Sequence, residues 1–218
     1  MSADLGNGVL WIPASSMTRG ALLIIILLVL ISLAGASDNV VHFRGSKVQN
    51  SRLGILIMPD AKKDIIAVTS PLRHFGLILP YSEEWEFTGD EQFLLKGKAG
   101  IIDLTLEMRR SDQEPRAFLE SVRQSLVSRG ATKGLKKAEI IIFKDIPVLR
   151  AEMDVEIETG SDRLRNEKRI SFWVVKQWED TLYTLHLSQR VDLKNPKGFD
   201  ETAFMNYVAV GFHVDFLR

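Results

Sequence analysis

Four histidines are the side chains in this sequence best suited to hold a metal ion or move a proton, and their spacing supports neither role directly. His42, His74, His186 and His213 are dispersed, and no two stand at the i, i+2 or i, i+4 interval that puts a pair of imidazoles on one ion. Ligands drawn from separated positions stay open, with ordinary surface or satisfied core histidines the simpler reading. Glu83 and Glu84 precede Trp85, and a carboxylate pressed against an indole gains acid–base competence through a raised pKa. A polar turn explains the same pair more simply. No GxSxG, HExxH, Walker-type phosphate loop or strand-borne GxGxxG is present. Cysteine is absent, which excludes disulfides, thiolate nucleophiles, Cys-ligated zinc and iron–sulfur clusters. No cofactor is expected.

Binding surfaces are the next chemistry to consider. Asp103 and Glu107 lie on one alternating strand, and Arg150, Glu152, Asp154 and Glu156 on another, so the two would form an acidic-rich stripe if those strands are neighbours. Such a stripe would suit a partner or a cation, although a solvated face paired across strands to Arg109, Lys168 and Arg169 explains it too. Trp173 shares a strand face with Arg169, Ser171 and Val175, opposite Ile170, Phe172 and Val174. Either the final helix covers it or it marks a contact site. The candidate partner surface is therefore Trp173, Asp103, Glu107, Glu152 and Asp154. Arg129, Lys133, Lys136 and Lys137 cluster in one connection, where they would meet anionic headgroups or simply water. The 28 basic and 28 acidic side chains cancel, so no positive field exists to attract nucleic acid, and none is expected as a partner.

The elements that must position these residues read as follows. Runs at 53–58 and 64–68 look like strands around the Pro59-Asp60 turn. A strand at 74–79 stops at Pro80, and from 102 to 109 Ile102, Leu104, Leu106 and Met108 alternate with Asp103, Thr105, Glu107 and Arg109, the period of a strand wet on one face. Ser111 and Glu114 have capping-box spacing, Pro115 sits in a first turn, and Phe118, Leu119, Val122 and Leu126 make the apolar stripe of a helix that ends at Gly130. Strands follow at 139–143 and 148–156, then 169–175 and 182–188 as a hairpin around Trp178-Glu179-Asp180. Asp200 caps a last helix carrying Phe204, Tyr207 and Val208, with Phe199 and Phe204 as a hydrophobic staple and Gly211 as its stop. This order predicts an α+β fold: a largely antiparallel sheet flanked by two main helices, sandwich-like as α/β/α, preceded by one N-terminal apolar helix.

That N-terminal helix is the strongest address in the sequence. Residues 20–37 carry no charge, and Leu22, Leu23, Ile24, Ile25, Ile26, Leu27, Leu28, Val29, Leu30 and Ile31 would insert into a membrane. At 1.5 Å per residue the segment reaches roughly 26 Å, the short limit for a hydrocarbon layer of about 30 Å. A cleaved signal competes with an anchor, because Ala34-Gly35-Ala36 has the small-x-small form of a cleavage site, while the long tail before Arg19 is untypical of a signal. Arg44, Lys47 and Arg52 after the segment oppose export by the positive-inside rule; the domain is nonetheless expected outside the cytoplasm, since long domains translocate largely regardless of charge. The organisation expected is a tail over 1–19, an anchor or signal over 20–37, a linker over 38–52 and a single domain over 53–218. Release after Ala36 would make the product secreted or periplasmic.

A membrane-targeting segment, then Phe75-Gly76-Leu77-Ile78-Leu79-Pro80 with Trp85 shortly after, a helix following 102–108, a run of antiparallel strands and a closing helix ending in Gly211-Phe212 together resemble the PsbP-like and DcrB-like superfamily over roughly residues 73–212. The resemblance implies an α/β/α sandwich and a binding or assembly role without chemistry. The chain lacks the anchoring Cys of the lipoprotein members, and no binding residues carry over. The expected function is a membrane-delivered, non-catalytic binding or assembly protein of the cell envelope, with a protein partner or small ligand; an envelope hydrolase or a purely structural anchored domain are the rivals.

Overall fold

The computed structural model describes residues 40–90, 93–130, 134–159, 163–192 and 199–214. In chain order the strands are β1 (Val41–His42), β2 (Val48–Asn50), β3 (Ile55–Asp60), β4 (Ile65–Ser70), β5 (Phe75–Pro80), β6 (Glu86–Thr88), β7 (Leu95–Ala99) and β8 (Ile102–Arg110). Helix α1 (Pro115–Gly130) follows. Then come β9 (Leu135–Phe143), β10 (Ile146–Thr159), β11 (Arg163–Trp178), β12 (Thr181–Asp192), the short helix α2 (Glu201–Met205), a π turn (Asn206–Val210) and β13 (His213–Val214).

The strands form two sheets. One has eight strands in the order β1-β6-β7-β8-β12-β11-β10-β9, the other five in the order β13-β5-β4-β3-β2, and every pairing is antiparallel. Alternation drives both. In the small sheet Ile57, Val68 and Leu77 are register partners, as are Ile66 and Leu79, and all five are buried. In the large sheet Leu104, Leu187 and Phe172 form one such row. These rows meet in a single core with Trp85, Phe204, Val208 and Phe212. The opposite face of the large sheet carries a second, smaller cluster, in which Leu119 of α1 packs with Leu149, Val175 and Leu182, and Phe118, Val122 and Leu126 close over it. Each side chain buried that fully stabilises the fold by about 1.5–3 kcal/mol. That cluster seats α1, while Gln113 donates its backbone N–H to the Ser111 hydroxyl just ahead of it.

The expected α/β/α sandwich with two main helices is not formed. The chain is mostly antiparallel β-structure, thirteen strands in two sheets with two short helices among the described residues. The reason lies in residues 48–80, which with β13 build a second sheet. That sheet covers the core face where a second helical layer would sit. The second helix is only five residues long before it loosens into the π turn, although its start is as expected: Asp200 accepts the Ala203 N–H at 3.0 Å, and the Phe199 and Phe204 rings lie 5.4 Å apart. The stretch read as a linker supplies β1 to one sheet and β2 to the other. Leu22 to Ile31, the residues expected to insert into a membrane, lie outside the described residues, among which no helix is long and apolar enough to cross a membrane.

Candidate functional site

Register partners in a sheet point to the same side, and neighbours along a strand to opposite sides. This rule sorts the polar residues of β8, β10, β11 and β12. Asp103 is opposite Ser188, Ser188 opposite Ser171, and Ser171 opposite Ala151. One row along, Thr105, His186, Trp173 and Leu149 are partners. On the other side of the serines Arg169 is opposite Arg190. All of these share the α1 side of the large sheet.

Burial there is deep for residues of this polarity. Ser171 is 0% and Ser188 1% exposed, and neither hydroxyl has a hydrogen-bond partner among the described residues; nor have His186 Nε2 and Arg169 Nε, both sealed from solvent. The His186 ring stacks on Trp173 with centroids 4.2 Å apart and planes within 6°. Arg169 reaches Asp103 through one contact, Nη2 to Oδ2 at 3.5 Å. Burial, and then the Arg169 charge, push the His186 pKa down to about 4, so the imidazole is neutral at pH 7 and a weak base. A nucleophile–base pair needs a hydrogen bond of about 2.6–3.2 Å, and no such bond joins His186 to either serine. Leaving each of these buried polar atoms unpaired costs about 1–3 kcal/mol, a cost that Ala at 171 and 188 would avoid without loss of packing.

The neutral histidine makes stability depend on pH in a defined direction. As pH falls from about 6.5 to about 4 the unfolded chain takes up a proton that the native imidazole refuses, so the folded state loses stability through that window and levels off below it. Urea unfolding at pH 7 and pH 4.5 is expected to differ by on the order of 2 kcal/mol from this residue. In His186→Gln most of that difference should vanish; an unchanged slope would place the ring in water.

The other candidates separate. Strands β8 and β10 are not neighbours, since β12 and β11 lie between them, and Asp103 and Glu107 face α1 while Glu152 and Asp154 face the opposite side. The acidic stripe is therefore not assembled. Glu152 is held by Lys168 at 2.6 Å and Asp154 by Lys136 at 2.9 Å, and the Lys168 ammonium keeps the Glu152 carboxyl below the usual carboxylate range. Arg150 grips Glu201 of α2 with two bonds of 2.7 and 3.1 Å. Trp173 is half-buried against the cluster under α1, so α1, and not the final helix, closes that face. Glu83 and Glu84 are exposed in a turn. His42 pairs with Glu86 at 3.2 Å, and His74 stacks on Trp178 at 3.9 Å. Lys137 pairs with Glu139, and Lys133 lies outside the described residues. No group of three or more metal-ligating side chains occurs among the described residues.

Ser188, Arg190 and the position of His186 escaped the sequence reading. The available signal was the polar face shared by Arg169, Ser171 and Trp173, extended across the hairpin by its register to Arg190, Ser188 and His186.

No protein-family model matches this chain, and no curated protein matches it. Among solved structures it is similar to the solution structure of cyanobacterial PsbP (CyanoP) from Synechocystis sp. PCC 6803, at 12% identity and a TM-score of 0.42, over 69% of this chain and 92% of that one. It is also similar to LpqN, involved in cell envelope biogenesis of Mycobacterium tuberculosis, at 13% identity and a TM-score of 0.37, over 65% and 79% of the two chains. The similar structures include a PsbP, the family whose element order the sequence resembles, at a level that assigns neither family nor activity.

Proposed function

We propose that this chain is a non-catalytic binding protein carried to a membrane of the cell envelope by residues 20–37. The observation that carries the binding role is the set of sealed polar atoms in two adjacent rows, the Ser171 and Ser188 hydroxyls and His186 Nε2, none of which has a hydrogen-bond partner among the described residues. Such a set receives a ligand. A hydrolase is the second reading, favoured by Asp103, Ser188 and His186 sharing one face, but Asp103 engages Arg169 and His186 is too weak a base to activate a hydroxyl well at neutral pH.

Fractionation of cells producing the full chain tests both halves. The protein is expected in carbonate-washed membranes, and Ile25→Asp with Leu28→Asp should shift it to the soluble fraction, because each charge at the centre of a spanning helix costs about 2.5–3.5 kcal/mol. The purified protein should turn over no p-nitrophenyl ester. Ester turnover abolished by His186→Gln would end the binding reading, and an unanchored wild-type chain would end the membrane one.

A further inference from the structure

We propose that the α1 side of the eight-stranded sheet holds an oxyanion site, for phosphate or a phosphate-bearing headgroup, built from Arg169, Arg190 and the hydroxyls of Ser171 and Ser188, with Asp103 as the internal group that the ligand displaces. The inference rests on the binding reading above and names the chemistry of its ligand.

The placement comes from the register. Arg169 is opposite Arg190 and Ser171 opposite Ser188, in adjacent rows of one face. Cross-strand side chains start about 5 Å apart and successive rows about 7 Å apart. Four hydrogen-bond donors therefore surround a patch of the dimensions of a tetrahedral oxyanion.

The chemistry of those donors selects an anion. A guanidinium only donates, and a hydroxyl can turn its hydrogen toward an acceptor. Arg169 Nε and both hydroxyls are sealed and unpartnered. Arg190 has no ion pair or side-chain hydrogen bond among the described residues. Two arginines directly opposite one another repel, and the Asp103 carboxylate offsets this only through its single 3.5 Å contact. Glu167 stands two residues before Arg169 on the same face and has an interaction of its own. A bound oxyanion would satisfy both guanidiniums bidentately, which a carboxylate at the edge of the patch cannot do.

A route in is present. A cavity of about 270 Å³ over β6, β7 and β8 is lined by Lys96, Lys98, Asp103 and Thr105 among others, and of these Asp103 stands between Lys98 and Ser188 in the register. Asp103 and Arg169 are partly exposed, with 39% and 33% of their side-chain surface open, and a single 3.5 Å contact joins them. When they part, the cavity opens onto the buried hydroxyls, and Lys98 attracts the incoming anion.

Isothermal titration of the full-length protein in neutral detergent at low salt tests this, with inorganic phosphate in one arm and glycerol 3-phosphate in the other. At least one should bind saturably. Preference for inorganic phosphate identifies a free ion as ligand, and preference for the glycerol ester identifies a headgroup. Arg169→Gln should weaken binding at least tenfold. Asp103→Asn should tighten it severalfold, because the competing carboxylate is gone. Ser171→Ala with Ser188→Ala should weaken binding about tenfold while the melting temperature holds or rises, which separates lost contacts from lost fold. No saturable binding of either compound, or binding indifferent to both Arg169→Gln and the double serine variant, would overturn the site. That failure differs from failure of the binding reading, which shows instead as His186-dependent ester turnover.

Discussion

Trp85→Ala is expected to remove about 4 kcal/mol of stability, and to lower the melting temperature by roughly 10 °C in a domain of this size. Trp85 is fully buried and stacks on Phe87 with centroids 5.3 Å apart and planes 10° from parallel. Its Nε1–H donates to the Pro80 carbonyl at 3.0 Å, tying the end of β5 in the small sheet to the residue just before β6 in the large one. Gly97 makes room for the ring: a Cβ there would lie 3.1 Å from Trp85 Cζ3 and from Phe87 Cε1. Truncation leaves a cavity between the sheets and strips the Pro80 carbonyl of its donor, two losses that add because the walls are strands which cannot collapse inward. Trp85→Phe keeps the stack and loses the hydrogen bond, so about 1–2 kcal/mol is expected from it. Chemical unfolding followed by circular dichroism measures both, and a cost below 1 kcal/mol for Trp85→Ala would show that the two sheets do not depend on this ring.

Gly211→Val should cost about 3 kcal/mol, for a reason unrelated to glycine's backbone freedom. Gly211 has an ordinary φ of −75°. Space is the constraint: a Cβ would stand 2.8 Å from the Tyr207 carbonyl oxygen, 3.0 Å from Ile78 Cβ and 3.1 Å from the Ile78 carbonyl oxygen. Two of those three atoms are backbone and the third is fixed to it, so none can rotate away. The Ile78 N–H donates to the Gly211 carbonyl at 2.9 Å, and Phe212 behind it is fully buried in the core. A side chain at 211 must therefore lever the π turn off β5, breaking that bond and lifting Phe212. Gly211→Ala should show about half the effect. Amide exchange offers the sharper readout, since the Ile78 amide should lose protection in the valine variant before the rest of β5 does; unchanged protection would mean the chain yields elsewhere.

Gly211 also shows how a residue can be read at the right place for the wrong cause. As a helix stop it follows from local sequence, but its closeness to Ile78 involves a contact 133 positions away, which no window on the sequence contains. The same holds for the acidic candidates. Asp103 and Glu107 sit on a strand face polar in sequence, and so do Glu152 and Asp154, yet alternation within a strand never says which of its two faces meets the core. Arg150 and Glu152 lie on the side of Phe172 and Ile170, and their charge is accommodated by Glu201 and Lys168 at the margin of the core. Polar alternation thus marked both strands, placed the β8 carboxylates away from the core, and mistook the side for Arg150 and Glu152 of β10.

What the sequence determined unaided is local. Helix α1 with its Phe118, Leu119, Val122 and Leu126 stripe, the β11–β12 hairpin, the Asp200 cap and the Phe199–Phe204 staple all depend on interactions among residues close in the chain, so period and spacing reveal them. Tertiary structure alone decided that residues 48–80 form a second sheet in place of a helical layer, and that Asp103 comes beside Ser188, with Ser171, Arg169 and Arg190 around them. Strand pairing between distant segments is chosen by the total apolar surface that each arrangement removes from water. That quantity belongs to the whole assembly of strands, and no one segment carries it.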